Sequence, residues 1–168
     1  MLELIGKIVG YVAIISSFVI YQQKSQKGLL ICKGISDILW IIHYAFLGAF
    51  TGAAVTIVAL IRELTFFTVK SENKKRKSTL IIFLIASAVC TAFTWKNFFS
   101  IFALMGSLLS VTSFWVGSPK LSRVLSFPIS ICMLIYGVSN NSNAVLINEI
   151  IVITSSLLGI LFIDKKKP

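Results

Sequence analysis

Seven apolar stretches, each about as long as a helical bilayer crossing of roughly 20 residues, run through this chain with only short polar turns between them. They cover 2–21, 29–47, 51–69, 79–95, 98–116, 124–138 and 144–163. When the connections are assigned to alternate sides, Lys24, Lys27, Lys33, Arg62, Lys70, Lys74, Lys75, Arg76, Lys77, Lys120, Arg123, Lys165, Lys166 and Lys167 fall together, and only Lys7 and Lys96 lie opposite. Basic residues flanking membrane spans are retained in the cytoplasm. The split therefore predicts seven spans, an outward amino terminus and a cytoplasmic carboxyl tail.

The composition agrees. With 57% hydrophobic and 13% charged residues and a mean hydropathy of +0.92, the chain is an all-α polytopic membrane protein and not a soluble globule. A net charge of +10 raises nucleic acid as a partner, but the basic residues sit at span ends, where anionic headgroups hold them. Membrane lipids are the expected partners and nucleic acid is not. Cys32, Cys90 and Cys132 are odd in number and all lie inside spans, which argues for packed thiols instead of a disulfide framework. The first span lacks a basic start and a small-residue cleavage site, so it reads as a retained helix.

Pro128 removes a backbone donor from the sixth span and predicts a kink or break there. The run SENKKRKS, 71–78, is the expected linker between three spans and four. An internal repeat runs across that division at an offset of 96 residues. Gly10 matches Gly106, Ser17 Ser113, Phe18 Phe114, Lys24 Lys120, Lys27 Arg123, Leu29 Leu125 and Ile35 Ile131; closing a four-residue gap brings Tyr44 onto Tyr136. Three spans reverse direction an odd number of times, so a fourth is needed between two copies of like orientation. The expectation is one transmembrane domain over 1–168 with a 3+1+3 plan: a three-helix repeat over 1–70, a linker helix over 79–95 that faces lipid, and a second repeat with a short tail over 98–168. Small-residue seams at Gly6, Gly10 and Ala13, and at Ala103, Gly106, Ser110 and Ser113, suit close helix packing.

Function in a membrane chain is read from residues that lipid does not tolerate. In the second span, Lys33, Asp37, Trp40 and Tyr44 recur at steps of three and four and share a face, with Ser36 and His43 beside it. Arg62 and Glu63 in the third span come to the depth of Asp37, on the order of 12 Å from the cytoplasmic side by helix rise. This predicts an Asp37–Arg62 pair, either a fastening between helices or part of a gate built from Lys33, Asp37, Arg62 and Glu63. A second polar layer, toward the outer side, joins His43, Thr56, Asn148 and Glu149; with Trp40 these are the expected solute-binding residues, and His43 and Glu149 are placed to exchange a proton. A single histidine excludes a two-histidine metal site within the chain, and no nucleophile elbow, phosphate loop or paired CxxC is present, so neither enzymatic activity, a metal nor a cofactor is expected. Asn140 opens an NNS triplet, a weak match to a glycosylation acceptor.

The run YQQKSQKGLL, then ISDILWIIHYAFLGAFTGAA and LIRELTFF, resembles the YgjV family of bacterial inner-membrane proteins. The likeness lies in the polar turn, the His-aromatic pair before Leu-Gly, the small-residue segment, the Ile-Arg closing span three and the acidic Asn148-Glu149 neighbourhood, and it covers nearly the full chain. It implies a multi-pass protein of the bacterial inner membrane. More distantly, the plan is similar to the SWEET, PQ-loop and PnuC transporters, which move sugars, amino acids or vitamin precursors. The chain departs from the PQ-loop pattern: Gln22-Gln23 stands where Pro-Gln belongs, and Ser118-Pro119 in the second copy. The function expected is alternating-access transport of a small polar solute, by a monomer or a homo-oligomer; the rival is a non-transporting sensor or accessory subunit. A continuous cavity joining the two polar layers favours transport, whereas a core closed by Trp40, Phe46 and Tyr136 favours the rival.

Overall fold

The computed structural model describes residues 2–46, 50–68, 74–93, 95, 97–139 and 143–166. Lys70, Lys96, Lys167 and the start of the NNS triplet fall outside the described residues, as do the side chains of Lys7, Lys74, Lys75, Arg76 and Lys166. Among the described residues there are seven α-helices and no strand: α1 (Leu2–Ile20), α2 (Gln26–Phe46), α3 (Phe50–Thr68), α4 (Lys74–Phe93), α5 (Ser100–Val116), α6 (Pro119–Ser139) and α7 (Asn143–Leu158). A wider turn of helix over Gly159–Ile163 and a tight one over Asp164–Lys166 prolong α7.

Three of these helical stretches are long and apolar enough on their own to cross a membrane: Gln26–Phe46, Pro119–Ser139 and Val145–Ile163. Ile8–Ile20, Lys77–Phe93 and Ser100–Val116 are apolar but shorter. The packing is inside-out relative to a soluble protein. On α1, Ile8, Val12, Ile15 and Val19 are exposed, while Gly6, Gly10, Ala13 and Ser17 turn inward at helical spacing. Across the molecule nine serines are buried among the described residues: Ser17, Ser36, Ser100, Ser113, Ser122, Ser126, Ser130, Ser155 and Ser156. Small interior side chains let helices approach closely where lipid supplies no hydrophobic drive, and large apolar residues on the outer surface suit acyl chains.

The helices close into a ring. Helix α2 packs on both α1 and α3, α6 on both α5 and α7, α1 meets α7, and α3 meets α5. This pattern maps onto itself when α1, α2 and α3 are exchanged for α5, α6 and α7. The matched glycines sit at equivalent seams: Gly10 lies under the His43 ring of α2, and Gly106 under Met133 and Cys132 of α6.

Three local expectations are corrected. Helix α4 begins at Lys74, within the stretch expected to be linker, because Lys and Arg are good helix formers and their stems extend beside a membrane surface. Helix α6 is longer than the apolar run, and it is continuous through Pro128 instead of broken. It starts one turn early because its entry is capped: Gly117 ends α5 with φ 78°, Ser118 accepts the Ser122 N–H at 2.9 Å, and Pro119 occupies the first helical position, where a missing N–H costs nothing. The third correction concerns α4, which is not a purely lipid-facing connector. Ile81, Ile82, Ile85 and Val89 are exposed, but Phe83 is buried edge-on against Phe66, and Ser87, Cys90 and Thr91 turn toward the centre of the ring.

Candidate functional site

The centre of the ring is a cavity of about 1030 Å³ lined by residues of all seven helices. One end lies near the α1–α2 and α5–α6 connections and the tail, where Tyr21, Lys33, Arg62 and Phe114 form its walls. This is called the tail end below. The other, far end is walled by Tyr44, Phe93, Trp95, Ser100, Tyr136 and Val145. Between them Asp37, Trp40, Thr56, Asn148 and Glu149 contribute to the same space. The two polar layers predicted from the sequence thus open onto one cavity, and Trp40 and Tyr136 line it instead of closing it.

Seven of the nine expected site residues line this space: Lys33, Asp37, Trp40, Thr56, Arg62, Asn148 and Glu149. His43 does not. Its Nδ1 is 2.8 Å from the Gly6 carbonyl, and its ring lies against Gly10 and edge-on to Trp40 at 5.3 Å. A histidine one helical turn past Trp40 on α2 faces α1, and the glycine seam of α1 leaves room for the ring. His43 therefore fastens α1 to α2 and does not share a proton with Glu149. Glu63 is buried behind Arg62 and also does not line the cavity.

The predicted Asp37–Arg62 pair is not formed. Lys33 pairs with Asp37 one turn along the same helix, and Arg62 pairs with the adjacent Glu63 at 2.7 Å while its guanidinium lies 5.5 Å over the Phe114 ring. Each acid takes its cation from its own helix: Lys33 lies one turn before Asp37, the spacing at which helical side chains meet, and Arg62 directly precedes Glu63. The four groups remain within electrostatic reach of one another. The Asp37 and Glu63 carboxyls also approach each other within hydrogen-bonding reach across α2 and α3, and Asp37 Oδ2 and Glu63 Oε2 have no other partner among the described residues.

Glu149 is held differently. It is 7% exposed, accepts a hydrogen bond from Ser130 Oγ at 2.5 Å and another from Asn148 Nδ2 at 3.2 Å, and makes no ion pair among the described residues. Asn148 Oδ1 is buried and without a partner.

At the tail end, hydrogen bonds run between the α1–α3 and α5–α7 halves. Arg123, 1% exposed, donates from Nε to the Tyr21 carbonyl at 2.7 Å, from Nη2 to the Gln23 carbonyl, and pairs through Nη1 with Asp164 at 2.6 Å. Gln22 Nε2 donates to the Ser155 carbonyl at 2.8 Å, Ser155 Oγ donates to the Phe18 carbonyl, and Gln26 Nε2 donates to the Phe114 carbonyl at 3.0 Å. Gly159 admits this approach: a Cβ there would stand 2.6 Å from both Arg123 Nε and the Tyr21 carbonyl oxygen.

Sequence reasoning missed Arg123 as a site residue, since it counted as one more basic residue at a span end. Its signal was Asp164, the one acid in an otherwise basic tail. It also missed the serines of α6, although Ser118, Ser122, Ser126 and Ser130 recur every fourth residue and mark a polar stripe. A family model described as bacterial inner membrane protein, Imp-YgjV, matches residues 4–167. No curated protein and no solved structure matches the chain.

Proposed function

We propose that this chain, which belongs to the YgjV family of bacterial inner-membrane proteins, carries a small polar solute across that membrane by alternating access of its two three-helix halves, without altering it chemically. The observation that carries this reading is the cavity between the halves, lined by residues of all seven helices, with bonds from one half to the other at its tail end. Ligand sites between helices of a bundle are concave, with a few polar groups converging on an aromatic or apolar wall, and this cavity has that character. A helix bundle that only senses or scaffolds has no need to hold such a space open in a low-dielectric interior, where every unpaired polar group is costly.

In this reading the tail end faces the cytoplasm, as the basic residues require, and the structure is a state closed on that side. Opening requires Arg123 to leave the Tyr21 and Gln23 carbonyls and Gln22 to leave Ser155. The paired charges Lys33–Asp37 and Arg62–Glu63 stand just above that closure and act as the inner gate. Purified protein in liposomes, offered a panel of radiolabelled sugars, amino acids, amines and nucleosides, is expected to accumulate at least one of them down its gradient, and Arg123→Ala to change the rate. Protein-free rates for every compound would remove the transport reading.

A further inference from the structure

Charge accounting inside the cavity leaves one group unbalanced. Of the Lys, Arg, Asp and Glu side chains that line it, Lys33 is engaged by Asp37 and Arg62 by Glu63. Among the described residues Glu149 has only neutral donors, Ser130 and Asn148. Neutral donors satisfy lone pairs but do not cancel a charge taken out of water. Lys33 is within electrostatic reach of Glu149 but already serves Asp37.

The unpartnered atom beside Glu149 is an acceptor: Asn148 turns its NH₂ group to Glu149, which leaves Oδ1 buried and without a donor among the described residues. A buried acceptor without a partner is expensive, so the site calls for a ligand that brings N–H or O–H groups. A proton on Glu149 would cancel the charge and leave Asn148 Oδ1 unserved, and an anion would serve neither. Trp40, Tyr44 and Tyr136 complete the wall, with Trp40 and Tyr44 stacked 5.6 Å apart. Faces of Trp and Tyr attract cations.

We infer that the cavity binds a small organic cation with at least one N–H donor, a primary ammonium, held by the Glu149 carboxylate and Asn148 Oδ1 against the Trp40, Tyr44 and Tyr136 wall. The inference deepens the transport reading and rests on it for the solute's path, though not for its binding.

Ethanolamine, ethylene glycol and glycolate form a matched series that differs in one group: ammonium, hydroxyl or carboxylate. Titration calorimetry on the detergent-purified full chain is expected to show ethanolamine binding at least about tenfold more tightly than either of the others, and Glu149→Gln losing about tenfold of that affinity while Glu149→Asp retains most of it. Equal binding across the series, no binding of ethanolamine, or an unaffected Glu149→Gln would overturn the inference. Should Glu149→Gln not fold, Asn148→Asp takes its place: a second carboxylate is expected to tighten ethanolamine binding about tenfold, and no change overturns the inference. Liposome uptake separates this inference from the transport reading. Selective ethanolamine binding without uptake supports the site and defeats transport, whereas uptake of glycolate or ethylene glycol in place of ethanolamine overturns the site and leaves transport standing.

Discussion

The two halves of the ring share a packing plan but fill it with different chemistry. Among the described residues, those buried in the first half are Asp37, Arg62 and Glu63 with two serines, Ser17 and Ser36; those buried in the second are seven serines with Arg123 and Glu149. Helix packing accepts either, because both give most interior polar side chains a hydrogen-bond or ion-pair partner. They differ in what it costs to rearrange them. Serine hydroxyls rotate, and the Ser126–Ser156 contact at 2.7 Å is exchanged for another neutral contact at little cost. Ion pairs in low dielectric hold fixed partners, and losing one leaves a bare charge. The first half carries its ion pairs beside the cavity, whereas the second carries its pair, Arg123–Asp164, at the tail end, where Arg123 also bonds to carbonyls of the first half.

The largest effect is expected at Arg123. Arg123→Ala leaves two carbonyls and the Asp164 carboxylate without their donor, and should destabilise the protein by about 3–5 kcal/mol in reversible unfolding in mixed micelles. A loss below about 1 kcal/mol would mean that the tail end is held by something else. Next comes the direct contrast between halves. Glu63→Gln, which strands Arg62 in the first half, should also cost several kcal/mol, whereas Ser156→Ala in the second should cost about 1 kcal/mol. Equal costs would erase the distinction.

The matched glycines give a smaller contrast. A Cβ at Gly10 would stand 2.6 Å from His43 Nδ1, while one at Gly106 meets Met133 Sδ at 3.3 Å. Gly10→Ala should cost about 1–3 kcal/mol and Gly106→Ala less, because a thioether shifts where a hydrogen-bonded imidazole does not. The smallest effect is one of non-additivity: Ser126→Ala and Ser156→Ala together should cost no more than about the larger single change, since removing both partners leaves no orphan.

Much of this was legible before any coordinates. Apolar runs of bilayer length gave seven helices to within a few residues, because in lipid every backbone group must be satisfied within a helix and no other arrangement competes. Polar residues in those runs pointed to the cavity for the same reason: Asp37, Thr56, Arg62, Asn148 and Glu149 have nowhere else to turn. Partners were harder to read. The sequence places Asp37 and Arg62 at one depth, but depth does not tell which acid an arginine chooses, and the adjacent Glu63 won. His43 was misplaced because it was grouped with Asn148 and Glu149 by depth, although its helical phase set it beside the Asp37 face, where the glycine seam of α1 receives it. Arg123 was hidden by its position at a span end, where basic residues are expected to sit in headgroups; only the three-dimensional approach of Tyr21, Gln23 and Asp164 makes it interior.

The most direct test of two moving halves needs no solute. Spin labels at Lys24→Cys and Lys120→Cys, matched positions beside the tail-end closure, in protein whose native cysteines are replaced, report the separation of the halves in liposomes by pulsed dipolar spectroscopy. Two distance populations are expected, with the longer one enriched by Arg123→Ala. A single narrow distribution that Arg123→Ala leaves unchanged would contradict alternating access.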